Sequence, residues 1–215
     1  MSNNTTEAPE MQIVYEQPRP TPPHMTFEEY LASGDEPMMS EWVDGEVVFM
    51  SPVAAAHQEL VLFLAQTLGL HVRIHGLGRL FLAPYPMKLE AARRGREPDL
   101  FFVAKEREHL IERTYLNGPA DLVVEIVSPE SIGRDRGEKF AEYEQAGITE
   151  YWLIDPDRQA AEFYELGADG RYRAAATETD GIYRSQVING FFIRTAWLWQ
   201  TPLPTLDALR ELKLI

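Results

Sequence analysis

The chain contains no cysteine, which excludes disulfides, Fe–S clusters and thiolate zinc sites and fits a reducing compartment. Eighteen apolar residues never follow one another, and the first two dozen residues hold no apolar run of signal-peptide length. A soluble, cytoplasmic protein with no membrane insertion is therefore expected. Positive charge is scarce: 20 Lys and Arg stand against 34 Asp and Glu, a net charge of −14. Nucleic-acid affinity rests mostly on cations against phosphate, so a surface that binds polyanions everywhere is excluded. No internal repeat is visible, and no Gly-x-Gly-x-x-Gly turn follows a strand-like run, which argues against a doubly wound dinucleotide fold.

The 215 residues, 45% hydrophobic and 11% aromatic, suffice for one domain with a real core. Residues 1–24 carry Pro9, Pro18, Pro20, Pro22 and Pro23 among polar residues and read as an extended or disordered tail. The single domain is then expected over 25–215. Charge is partitioned along it: between His71 and Arg96, six cations (Arg73, Arg79, Lys88, Arg93, Arg94, Arg96) face one acid, Glu90. That segment is either a local grip on phosphate or, for Arg93, Arg94 and Arg96, a hairpin tip kept soluble.

Thr26 is placed to cap a short helix through Glu28–Leu31. Glu41–Val43, the turn dipeptide Asp44-Gly45 and Glu46–Met50 form a hairpin, which Ser51-Pro52 ends. Leu60, Val61, Leu64, Leu68 and Val72 recur at helical spacing within Ala54–Ile74, the longest helix. Strands are expected at Leu80–Leu89 and Asp99–Val103, separated by a basic turn around Gly95. Asp121–Val127 is a nearly continuous β-branched run, as in a strand covered on both faces. A helix from about Arg134 to Ala146 then stops at Gly147, and Tyr151–Ile154 resumes an apolar strand. Strand, helix, strand at this spacing is a right-handed βαβ crossover with parallel strands. Ala161–Leu166 and Tyr172–Ala176, with apolar runs near Val187 and Phe191–Ile193, read as an antiparallel extension. Trp42, Trp152, Trp197 and Trp199 are expected in the core or an interface, because nothing groups them with the basic segment.

Glu125 is the most informative residue, because a carboxylate inside a buried apolar strand costs several kcal/mol, order of magnitude, unless a cation or metal faces it. A buried ion pair with a lysine is the structural alternative. Asp99, after Pro98 at the mouth of another apolar strand, can approach Glu125 if the two strands pair. Two acids on neighbouring strands suit a hard cation such as Mg²⁺, which is commonly held by one or two carboxylates and several waters. His57, near the start of the long helix, is a candidate base or phosphate contact, with packing as the plainer role.

Pro98-Asp99 and Glu125-Ile126-Val127 resemble the PD-(D/E)XK motif of restriction-endonuclease-like nucleases. The lysine expected two residues after the glutamate is Val127 here, and Ser128 points to the other face. Lys139, on the following helix, is a substitute. With Ser128-Pro129, Asp135 and Tyr143, the segment resembles the Uma family, in which the motif lysine has moved onto this helix. Asp44-Gly45-Glu46, Met50-Ser51-Pro52, His57, Ala146-Gly147-Ile148, Glu150-Tyr151-Trp152 and Asp155 extend the resemblance from about Phe27 to Trp199.

That resemblance implies an α/β restriction-endonuclease-like core in the order helix, three strands, helix, strand, with a mixed sheet, an N-terminal hairpin and a C-terminal antiparallel extension. It implies a Mg²⁺- or Mn²⁺-dependent endonuclease hydrolysing phosphodiesters, with DNA as the expected substrate. Asp99, Glu125 and the carbonyl of Ile126 would hold the metal, with Glu46, by the resemblance, or Glu59 as a third acid. Lys139 would orient the attacking water, Asp135 would hold Lys139, and Lys88, Arg93, Arg94 and Arg96 would grip flanking phosphates. Similar nucleases often form homodimers. A catalytically silent binding module and a small-substrate phosphodiesterase remain open beside this reading.

Overall fold

Thr26 closes a capping box that starts α1 (Phe27–Ala32). Its hydroxyl accepts the Glu29 amide at 3.2 Å and its own amide donates to the Glu29 carboxylate at 2.7 Å. The structure, a computed structural model, describes residues 25–33, 40–49, 53–128 and 131–215. The expected tail over 1–24, the Met50-Ser51-Pro52 match and Pro129 lie outside them.

The hairpin consists of β1 (Ser40–Val43) and β2 (Glu46–Phe49), joined by Asp44-Gly45 with positive φ at both residues. The expected strand Leu80–Leu89 is instead two strands in different sheets, β3 (Gly78–Leu82) and β4 (Met87–Leu89). Pro84 and Pro86 lie between them and have no amide to give a ladder. Gly95 is not in a turn either. It sits in β5 (Arg94–Arg96), which pairs with β1 on one side and β4 on the other; the turn is at Arg93, with φ 53°. A Cβ at Gly95 would come 2.5 Å from the Phe27 ring, so a side chain there would push α1 off the sheet. The result is a four-stranded sheet in the order β2-β1-β5-β4.

The main sheet adds β6 (Leu100–Ala104), β7 (Leu122–Ile126), β8 (Glu150–Asp155), β9 (Ala160–Leu166) and β10 (Tyr172–Ala174), in the order β10-β9-β8-β7-β6-β3. Only β7 and β8 are parallel. Their crossover is α3 (Lys139–Ala146), entered through a π-helical turn, Arg134–Glu138, and ended by Gly147 at φ 80°. With α2 (Ala55–His75) in front, the order α2, β3, β6, β7, α3, β8 is the helix, three strands, helix, strand of a restriction-endonuclease-like core.

Strand alternation assigns the two faces. Leu100, Phe102, Leu122, Val124, Ile126, Trp152 and Ile154 pack with Leu60, Phe63, Leu64, Leu68 and Val72 of α2, which recur three and four residues apart. Phe101, Val103, Val123, Tyr151 and Leu153 face Tyr143 of α3 together with Met87 and Leu89. Beyond β10, the chain forms a separate hairpin of β11 (Ile182–Arg184) and β12 (Phe192–Arg194), then α4 (Thr205–Glu211). Phe191, Ile193, Trp197 and Ala208 of this extension join the α2 side of the core. Val187 lies in the hairpin loop rather than a strand, and Trp42, Trp152 and Trp197 are buried packing residues. Among the described residues no helix is long and apolar enough to cross a membrane.

Candidate active site

The odd-numbered residues of β7 point toward α3, so Glu125 enters the same layer as Val123 and Val127. β6 pairs with β7 with Leu100 against Val124, and continuing that register by one residue sets Asp99 opposite Glu125. The two carboxylates therefore meet where both strands end. Asp99 Oδ2 accepts the Ile126 amide at 2.7 Å and lies 3.1 Å from His57 Nε2, which reaches the sheet end from α2 in the other layer. With a carboxylate as partner, Nε2 is the donor, and Nδ1 is buried without a hydrogen-bond partner.

Asp135, Lys139 and Tyr143 are spaced four apart across the π-turn and α3, and all three are buried. Lys139 Nζ lies 3.0 Å from Glu125 Oε1, 3.1 Å from Glu41 Oε1 and 3.5 Å from Asp135 Oδ1. Tyr143 donates to the same Glu125 oxygen at 2.9 Å. Burial alone would push the Lys139 ammonium down, but Glu125, Glu41 and Asp135 together raise it above the ordinary lysine value. The group is a fixed cation and not a base. Burial, reinforced by the surrounding carboxylates and opposed by Lys139, raises Glu125; burial also raises Asp135.

Charge at the site does not balance. Among the described residues, Glu41, Asp99, Glu125 and Asp135 bring four carboxylates together; Lys139 and Arg96 pair with them, Arg96 is shared with Glu142, and Arg134 also acts on Asp135. A divalent cation, or protons on the raised carboxyls, would relieve the excess of negative charge. An all-oxygen donor set with two carboxylates at a strand mouth suits a hard cation that keeps waters of its own, such as Mg²⁺ or Mn²⁺. Among the described residues no three acidic or histidine side chains are grouped as a closed metal cage; here the ammonium of Lys139 stands where three of the carboxylates converge.

The structure thus brings together Asp99, Glu125, Lys139, Asp135 and His57, with the Ile126 backbone between them. It does not bring in Glu46, which is exposed on the edge strand β2, or Glu59, which is exposed near the start of α2. The acid that arrives from the hairpin is Glu41, fully buried. Nothing in Ser40-Glu41-Trp42 marks it in the sequence, because its charge is matched only by cations from other elements.

The basic segment is corrected most. Arg96 is 1% exposed, donating to Glu41 at 2.7 Å and to both oxygens of Glu142 at 2.8 Å. Arg94 pairs with Glu142 at 2.8 Å and Asp44 at 2.6 Å. Lys88 pairs with Glu28 at 3.0 Å and Glu90 at 3.1 Å. Of the four expected phosphate contacts only Arg93, in the exposed turn, is left outside these pairs. An arginine inside a sheet must be matched by acids from other elements, and those lie 46 and 55 residues away in sequence.

A mixed sheet with two acids facing each other at its open end, and a lysine delivered by the crossover helix, defines a restriction-endonuclease-like protein. The chain belongs to the Uma2 family, described as "Putative restriction endonuclease", whose profile matches residues 27–196. Among solved structures, a "putative nuclease belonging to DUF820" from Anabaena variabilis superposes with a TM-score of 0.67 over 81% of this chain and 97% of that one, at 18% identity. At that identity the likeness carries the fold. No curated protein matches the chain.

Proposed function

We propose that the chain is a divalent-metal endonuclease that hydrolyses phosphodiester bonds in DNA, with Asp99 and Glu125 as the metal-holding pair. The observation that carries this reading is the cluster of buried carboxylates at the end of β6 and β7, beside a lysine that its neighbours keep protonated. Bound there, Mg²⁺ or Mn²⁺ would polarise the scissile phosphate and lower the pKa of a water. Asp99 and Glu125 would hold it from adjacent strands, with the Ile126 carbonyl as a third oxygen. Lys139, already charged and immobile, needs no reorganisation to offset negative charge as it develops on the phosphoryl oxygens. Asp135 holds that ammonium from one turn earlier in the chain. His57 steadies Asp99 by donating from Nε2.

Calorimetric titration with Mn²⁺ tests the metal assignment apart from turnover. Wild type is expected to take up one ion with release of protons from the raised carboxyls. Glu125→Ala and Asp99→Ala are expected to lose that isotherm while keeping the far-UV spectrum. An unchanged isotherm in both variants would place the metal elsewhere and sink this assignment.

A further inference from the structure

The N-terminal hairpin is joined to the catalytic layer by one buried chain of charges. Glu142 on α3 holds the Arg96 guanidinium through two bonds of 2.8 Å; Arg96 donates to Glu41 Oε2 at 2.7 Å; and Glu41 Oε1 lies 3.1 Å from Lys139 Nζ. Arg96, Glu41 and Lys139 are 1%, 0% and 2% exposed. Each end of the Glu41 carboxylate is thus taken by a different cation, and the amide of Glu97 also points at Oε1, at 3.4 Å. A long lysine side chain loses much rotamer freedom when buried, and Glu125 and Asp135 approach its ammonium only from the strand and from its own helix. Glu41 supplies the direction those two lack.

We propose that Glu41, oriented by Arg96 and Glu142, is the positioning residue that fixes the Lys139 ammonium against Glu125, so that the small N-terminal sheet is a working part of the active site. This deepens the nuclease reading given above and rests on it only for its kinetic consequence. A guanidinium suits the role because its rigid fork gives Glu142 two parallel bonds while another N–H of the same plane donates to Glu41. Arg96 in turn stays in register because β5 is an inner strand, paired on both sides.

The test uses the full-length protein and two readouts. The first is the ¹⁵N signal of the Lys139 ammonium, which is visible only when the group is buried, hydrogen-bonded and slow to exchange. The second is the split between kcat and KM on whichever nucleic acid the wild type cuts. Wild type and Glu178→Gln, which alters an exposed ion pair with Arg184, are expected to show the signal. Glu41→Gln is expected to broaden it away and to lower kcat about 10- to 100-fold with KM changed less than about twofold. Glu142→Gln, a milder change at the far end of the chain of charges, is expected to do the same more weakly. If Glu41→Gln does not fold, Glu41→Gln combined with Arg96→Met leaves no unmatched charge in that pair and is read in the same way. Retention of the ammonium signal together with unaltered kcat in the Glu41 and Glu142 variants would overturn the proposal. A wild type that cuts nothing would remove the nuclease reading, while the ammonium signal would still decide whether Glu41 positions Lys139.

Discussion

At the scale of single residues, the buried charges carry the clearest consequences. Lys139 faces three carboxylates, so Lys139→Met leaves Glu41, Glu125 and Asp135 without it. Removing one partner of a buried charge cluster typically costs about 3–5 kcal/mol, and urea unfolding in chelator should register a loss of that size. Mn²⁺ should restore part of it. Glu150 makes a second buried cluster, away from the active site. It is fully buried and accepts from the Ser185 hydroxyl at 2.9 Å, from the Val187 amide at 3.2 Å and from the Gln186 amide, tying the C-terminal hairpin loop to β8. Glu150→Ala strands those donors and should cost about 2–3 kcal/mol. Burial raises the Glu150 carboxyl above its ordinary 4.5, with the donors opposing. The folded state therefore holds this proton more tightly than the unfolded chain. Its contribution is fully present below 4.5 and is lost as pH rises through the raised folded value. Glu150→Gln should flatten that fall, which denaturation midpoints measured from acid to neutral pH would show.

At the scale of elements, the main sheet and its two long helices were legible because their signals are local. The α2 stripe, the β-branched run of β7, the stop at Gly147 and the turn at Asp44-Gly45 all follow from periodicity or backbone preference. The failures have physical causes too. Prolines split one expected strand into two, and nothing in Arg94-Gly95-Arg96 announces an inner strand, since its side chains are matched only by acids from distant elements. The same holds for the site. Asp99 and Glu125 could be found from acids at and within apolar strands, and Lys139 from the family resemblance, with which its helix spacing agrees. Glu41 and Arg96 could not, because each is explained only by the other. Gly95 carries the sharpest element-level prediction. Gly95→Ala would bring a methyl to 2.5 Å from the Phe27 ring, and overpacking of this kind costs about 1–3 kcal/mol. Because β5 also carries Arg96, the variant should lose cleavage beyond what its lower melting point explains.

At the scale of the whole molecule, a net charge of −14 has to be reconciled with a polyanionic substrate. Many cations are already matched internally: Lys88, Arg94, Arg96, Arg107, Arg136 and Lys139 all face carboxylates. With Arg158, Arg171, Arg173, Arg184, Arg194 and Arg210, twelve of the 20 Lys and Arg stand in ion pairs among the described residues, so binding should depend on the metal more than on a basic surface. Duplex affinity measured by fluorescence anisotropy with Ca²⁺ in place of Mg²⁺ should show a log–log salt slope of about −3 or shallower, against about −10 for a strongly basic DNA binder. Chelator should abolish most of that binding. A steep slope that survives chelation would reveal a cationic surface that this account does not contain.

The central claim is that Asp99, Glu125 and Lys139 form one metal-dependent phosphodiesterase centre. The most direct test is cleavage of supercoiled plasmid, linear duplex, single strand, branched junction and RNA, with Mg²⁺ or Mn²⁺, by wild type and by Asp99→Ala, Glu125→Ala and Lys139→Ala. The account predicts metal-dependent cutting of a DNA substrate by wild type and at least about a hundredfold loss in each folded variant. Cutting that survives Glu125→Ala, or a wild type inert on every substrate with either metal, would contradict it and leave the same fold as a binding module.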